Sequence, residues 1–199
     1  LDSNISPGKS FDFGFNVETY FSPLIKQFTK FYNADSIEPI EFYGNCYNGN
    51  ADLYTTMSYL PHVDTFPGAD EGINPLNDYA FNLNVTKSDK VNTAFYSFNG
   101  KKSVCDWTPD DYDDHDRVRD RHKKIKAKDW RLLSSENFKN YQLEYVANIE
   151  YNSLILYPSH YWHSVYIKED WFTDTDRVTF TGFFETKTTS SKRKKLGFG

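Results

Sequence analysis

Apolar residues recur at near-helical spacing from Val17 to Tyr32, where Phe21, Leu24, Ile25, Phe28 and Phe31 fall on one stripe. That spacing predicts a helix laid on the outside of a sheet, with no chemistry of its own. From Ile40 the pattern changes to short aromatic and β-branched runs separated by Gly, Asn, Asp and Pro, as strands joined by loops require. The candidate strands are Ile40 to Tyr47, Leu53 to Leu60, Tyr79 to Thr86, Asn92 to Phe98, Tyr141 to Ile149, Ser153 to Tyr157, Tyr161 to Ile167 and Arg177 to Phe184. Eight short strands with a flanking helix predict a mainly β chain built as two facing sheets or a barrel.

Composition agrees with this. Aromatic residues make up 18% of the 199, and rings suit the pleated surfaces of sheets. The jelly roll that cupins use is one such architecture. A chain of this length is expected to form a single domain over 1–199. A charged insertion near 101–140 interrupts the strands. In it an acidic block (Asp110, Asp111, Asp113, Asp114, Asp116) gives way to a basic one running from Arg117 to Lys128. The favoured reading is a solvated, partly helical insertion whose halves attract; the alternative is a lid over a site. A basic tail, 190–199, reads as a disordered terminus.

The net charge of -5 makes nucleic acid an unexpected partner. Two cysteines, Cys46 and Cys105, are too few for a disulfide framework, so a reducing, cytoplasmic setting is the expectation. No apolar run approaches the roughly 18 residues of a membrane span.

Chemistry enters with His62 and Asp64. Residues two apart on an extended segment project to one side, so this imidazole and this carboxylate can share an ion. About a hundred residues later, Tyr157-Pro158-Ser159-His160-Tyr161-Trp162-His163 offers a third ligand. His160 sits at the exit of a turn and His163 on the next strand, which makes His163 the choice. Two His and one carboxylate with open positions form the ligand set of non-haem Fe(II) oxygenases; zinc also accepts such a set, but no general base marks a zinc hydrolase. His115 and His122 lie in the charged insertion and are expected to be exposed.

In Arg177-Val178-Thr179-Phe180-Thr181, Arg177 and Thr179 share one side of a strand. A guanidinium with a hydroxyl beside it can seat a carboxylate, whereas a salt bridge to Asp174 or Asp176 explains Arg177 equally well. The alternation over Asp78 to Thr86 places Asn82 and Asn84 on one face, so either could line a wet pocket. Tyr54 has the parity of His62 and could reach the same cavity, with Tyr59 and Tyr96 as further options.

The ordered set Pro61-His62-Val63-Asp64, Asn92-Thr93-Ala94-Phe95-Tyr96, Asn152 to Tyr157 through His163, and Arg177-x-Thr179 resembles the Fe(II)/2-oxoglutarate-dependent dioxygenases, in particular their small prolyl-hydroxylase-like branch. Three features depart from that pattern. Asn92-Thr93 stands where relatives often show Gly-Gly-Thr, Asn82 stands where prolyl hydroxylases tend to carry a tyrosine, and the His163–Arg177 loop is longer than usual. The resemblance implies a double-stranded β-helix, with Fe(II) on His62, Asp64 and His163 and 2-oxoglutarate on Arg177. It also implies O2 as co-substrate and hydroxylation of a small-molecule or peptidyl substrate. The rival reading is a non-catalytic jelly-roll module that binds a small acid or sugar.

Overall fold

The computed structural model describes residues 9–11, 17–47, 60–64, 78–122, 140–168, 171–172 and 174–188. Within them lie strands β1 (Lys9–Phe11), β2 (Ser36–Tyr47), β3 (Asp78–Asn84), β4 (Asn92–Phe98), β5 (Tyr141–Asn148), β6 (Leu154–Pro158), β7 (His163–Tyr166) and β8 (Arg177–Lys187), and helices α1 (Val17–Phe31) and α2 (Pro109–His122). The strands form two antiparallel sheets, of order β1-β2-β8-β3-β6 and β5-β4-β7.

The topology is that of one long ribbon doubled back on itself. β4 pairs with β5 near the tip, β3 with β6, and β2 with β8. An antiparallel bridge between His62 and His163 attaches residues 60–64 beside β7. Successive rungs fall in alternate sheets, and this rolled ribbon is the double-stranded β-helix of a jelly roll. The layers meet through rings: Tyr157 of β6 lies 5.3 Å from Phe95 of β4 and 4.7 Å from His163 of β7. The strand expectations hold to within a few residues, apart from an earlier start for β2 at Ser36. β1 was not foreseen, since three residues carry no period. The Leu53 to Leu60 candidate, Tyr54, Tyr59 and the basic tail lie outside the described residues, Leu60 excepted.

The helical stripe packs on the outer face of the larger sheet, with Phe21 stacked on Phe42 and Phe28 on Phe184, each pair at 5.1 Å. Phe31 departs from the expectation and is exposed. The helix ends there. Asn33 turns left-handed (φ 49°), and the Ala34 N–H reaches back to the Thr29 carbonyl at 3.0 Å, so Tyr32 takes the next packing position against Tyr79. Beneath the helix, Gly182 of β8 leaves room for two rings; a Cβ there would run into Phe81 and sit 2.6 Å from Phe42. Gly182→Ala is therefore expected to lower stability by about 1–3 kcal/mol in denaturant titration.

The charged insertion is helical over α2, as expected, and most of its charges are exposed, but one face of the helix is docked and not solvated. α2 starts as a capped helix: Pro109 occupies its first turn, and the Asp111 carboxylate accepts hydrogen bonds from the Thr108 N–H (2.8 Å) and hydroxyl (2.6 Å). Lys101 and Asn99 donate to the same carboxylate, at 2.5 and 3.3 Å. His115, expected at the surface, is buried among Phe98, Trp107 and Trp162. The side chain of His122 lies outside the described residues. Val118 packs on the cluster of Leu60, Val63, Tyr141 and Trp162. Composition hid this docking because, Trp107 apart, the rings that receive α2 come from outside the insertion.

The Lys101 ammonium, together with the Thr108 and Asn99 donors, holds the Asp111 carboxyl well below the usual carboxylate range. A folded-state pKa below the unfolded one means that the unfolded chain binds more protons in acid. The contribution of Asp111 is thus full above the ordinary value of about 4 and is lost as pH falls through and below it. Asp111→Ala is expected to cost about 1–2 kcal/mol at neutral pH, read as a lower thermal midpoint. The deficit should shrink towards pH 3.

Candidate metal centre

Two short segments from opposite ends of the ribbon make the site. His62 and His163 form a closed backbone pair, the His62 N–H to the His163 carbonyl at 2.8 Å and the reverse at 2.9 Å. Their rings therefore stand side by side, centroids 4.5 Å apart. The Asp64 N–H donates to the Ser159 carbonyl at 2.9 Å, which fixes the carboxylate over the same point. One ligand atom from each of His62, Asp64 and His163 lies within 4.8 Å of the other two, a group that could hold a metal ion. Asp64 Oδ1 is 3.8 Å from His62 Nε2, and Oδ2 is 3.4 Å from His163 Nε2. His160, the other histidine of its turn, is buried but is not a member of this group.

The tautomers follow from the backbone. His163 Nδ1 lies 2.9 Å from the Tyr161 carbonyl, and a carbonyl only accepts, so Nδ1 carries the proton and Nε2 presents a lone pair. His62 repeats the arrangement more loosely, with Nδ1 3.4 Å from the Leu60 carbonyl. Burial lowers both imidazole pKa values to about 4, helped at His62 by the neighbouring His163. Burial also pushes the Asp64 carboxyl up to about 6, against the pull of His62. At neutral pH two neutral imidazoles and one carboxylate thus converge as acceptors. Asp64 Oδ2 is buried and receives no hydrogen bond. A divalent cation satisfies all three, and the donor set suits one.

Side-chain exposure is graded across the group: 6% at His163, 12% at Asp64 and 31% at His62. The open side is that of His62. On the closed side, the Tyr157 hydroxyl lies 3.3 Å from His163 Nε2. Burial, with the negative charge of Asp64 next, raises the phenol pKa well above its ordinary value, so Tyr157 remains a proton donor.

Arg177 is 4% exposed. Its Nη1 donates to Thr179 Oγ1 at 3.3 Å, while Nε and Nη2 are buried without an acceptor. Neither Asp174 nor Asp176 pairs with it; both are exposed, and among the described residues no carboxylate forms an ion pair with Arg177. The salt-bridge reading of Arg177 is thereby overturned. Burial lowers its pKa only to about 10, offset by Tyr157 and Tyr47, so the guanidinium is charged at neutral pH. An uncompensated cation in a dry site calls for an anion.

The remaining sequence candidates divide. Asn82 lies on the inner face opposite Thr181, with its Oδ1 buried and unpaired. Asn84 is structural: its Nδ2 donates to the Ile149 carbonyl at 2.7 Å and its Oδ1 accepts from the Thr86 N–H at 2.7 Å. Tyr96 is half-buried and receives a 3.4 Å contact from Ser164 Oγ. One residue that sequence reasoning missed lies close to the group. Tyr157 shares a sheet face with Ala80, its partner across β3 and β6, which the Ala80/Asn82 alternation could have flagged.

No protein-family model matches this chain, and no curated protein does. Among solved structures, HygX from Streptomyces hygroscopicus with nickel and 2-oxoglutarate bound is similar at a TM-score of 0.45 and 11% identity, over 90% of this chain and 74% of HygX. HygX with iron bound gives a TM-score of 0.42 at 11% identity, over 92% and 83%. The double-stranded arrangement described above stands on this chain's own strand order.

Proposed function

We propose that this protein is an Fe(II)- and 2-oxoglutarate-dependent dioxygenase that hydroxylates an unactivated C–H bond of an amino acid, a peptidyl side chain or a small metabolite. One observation carries the reading: an acceptor-only His62–Asp64–His163 group and a buried arginine without a carboxylate share one interior. The first offers acceptors and the second donors, and a cation with a metal-chelating diacid would meet both.

His62, Asp64 and His163 would hold the iron and leave coordination positions open. Arg177, steadied by Thr179, would take the distal carboxylate of 2-oxoglutarate in a bidentate pair. Tyr157, whose hydroxyl lies 3.3 Å from His163 Nε2, would be free to donate to a bound diacid if Nε2 held a metal. The amide of Asn82 offers a further polar contact on the same face. When bound, Fe(II) with 2-oxoglutarate and O2 supplies the oxidising power: 2-oxoglutarate loses CO2 and becomes succinate, and one oxygen atom goes to the substrate. The protein orients the reactants and, with Phe95 and the buried Tyr157 packed beside His163, excludes water.

The test is succinate formation from 2-oxoglutarate, dependent on Fe(II) and O2, alongside mass spectrometry of a panel of amino acids and peptides for the gain of one oxygen. The expected result is iron-dependent succinate that rises when the right substrate is present. Absence of iron-dependent succinate across the panel would contradict the reading.

A further inference from the structure

We propose that Thr93 is a second anchor for the acid that Arg177 receives, donating its hydroxyl from the opposite sheet to a carboxylate oxygen of bound 2-oxoglutarate. This inference rests on the oxygenase reading above. Thr93 is 2% exposed, and its Oγ1 is buried without a hydrogen-bond partner. It lies on the inner face of β4, because Phe95, two residues on, turns its ring to Tyr157 of the other sheet at 5.3 Å. Across the two ladders Thr93 stands opposite Ala147 of β5 and Val165 of β7, so its neighbours on that face, Phe95 included, are apolar. None of them can engage the hydroxyl. A valine would keep the same branched shape in the strand without burying an unpaired polar group.

The hydroxyl faces the wall assigned to the co-substrate. Val165 packs on the cluster of Tyr47, Val91 and Ile149, which Ile155 of β6 also joins. Tyr47 is the β2 partner of Arg177 and Ile155 the β6 partner of Asn82, and residues directly opposite in a ladder share a face. Thr93 therefore looks across the interior at the sheet face that carries Arg177, whose Nε and Nη2 lack acceptors. A hydroxyl oxygen would accept from either nitrogen, yet no hydrogen bond joins them, so a gap separates the two. Donors on two sides of a buried gap suit a carboxylate, which accepts at both of its oxygens.

The experiment compares the unmodified protein with Thr93→Val and Thr93→Ser in two measurements: the thermal midpoint without ligand, and calorimetric titration with 2-oxoglutarate after loading with Co(II) in the absence of O2. Thr93→Val, which removes only the hydroxyl, should melt no lower than the unmodified protein and bind 2-oxoglutarate roughly tenfold or more weakly, the scale of a lost hydrogen bond to a charged group. Thr93→Ser, which keeps the hydroxyl, should retain most of the affinity. The proposal is overturned if Thr93→Val binds 2-oxoglutarate as tightly as the unmodified protein, the result expected of a hydroxyl that holds only a buried water. It is also overturned if Thr93→Ser binds as weakly as Thr93→Val, or if Thr93→Val melts lower, which would give the hydroxyl a part in the fold. The oxygenase reading fails on a different result, 2-oxoglutarate binding to the unmodified protein that is unchanged when Co(II) is left out. Absence of any such binding overturns both.

Discussion

Asp64→Asn is expected to raise the thermal midpoint of the metal-free protein while weakening Fe(II) binding by more than about a hundredfold, beyond the loss typical of an outer-shell partner. The two effects share one cause. In the metal-free site Asp64 Oδ2 is buried, accepts no hydrogen bond and faces the His163 Nε2 lone pair at 3.4 Å. An amide of the same shape carries no charge to desolvate. The gain is expected at about 1–3 kcal/mol, or a few degrees in midpoint for a chain of this size. Iron-dependent succinate formation should vanish in the same variant. Calorimetry of metal-free and Fe(II)-loaded protein measures both effects. A variant that is less stable without metal, or that still binds iron at the original affinity, would show that Asp64 serves packing and not a cation.

The second large effect belongs to Arg177. Arg177→Met replaces a buried guanidinium, two of whose nitrogens lack acceptors, with an apolar side chain of comparable length. Removal of such a charge is expected to leave ligand-free stability unchanged or to raise it by up to about 4 kcal/mol. Binding of 2-oxoglutarate should weaken by about a hundredfold or more, the scale of breaking a desolvated charge pair. In the unmodified protein 2-oxoglutarate should raise the thermal midpoint in proportion to its saturation; in Arg177→Met that rise should be absent. Destabilisation of the ligand-free variant together with undiminished 2-oxoglutarate binding would mean that the arginine holds the fold together and leaves the diacid to another group.

Both predictions concern side chains placed against the interest of stability, and these are also the side chains that sequence reasoning could find. His62 and Asp64 are legible because a period of two on an extended segment fixes their common direction without knowledge of the rest of the chain. His163 and Arg177 are legible because each sits on a strand with a clear alternation. That Arg177 is buried with no carboxylate partner among the described residues was not legible, because it depends on burial that only the assembled sheets create. The same holds for Tyr157, one tyrosine among 15 until β6 is laid opposite β4 and β7. α2 shows the limit most plainly. Its run of charges reads as solvated, yet His115 and Val118 are enough to dock it once Trp107 and Trp162 supply the surface. Asn84 errs in the other direction: its alternation matches that of Asn82, but both ends of its amide are used up by Ile149 and Thr86.

The central claim, that a metal and a diacid meet in this interior, is tested most directly by anaerobic titration with Fe(II) followed by 2-oxoglutarate. The account predicts a weak visible charge-transfer band that saturates at one equivalent of each, is missing in His163→Ala and in Asp64→Asn, and does not form at the same 2-oxoglutarate concentration in Arg177→Met. A spectrum that stays featureless in the unmodified protein, or a band that persists undiminished without His163, would contradict it.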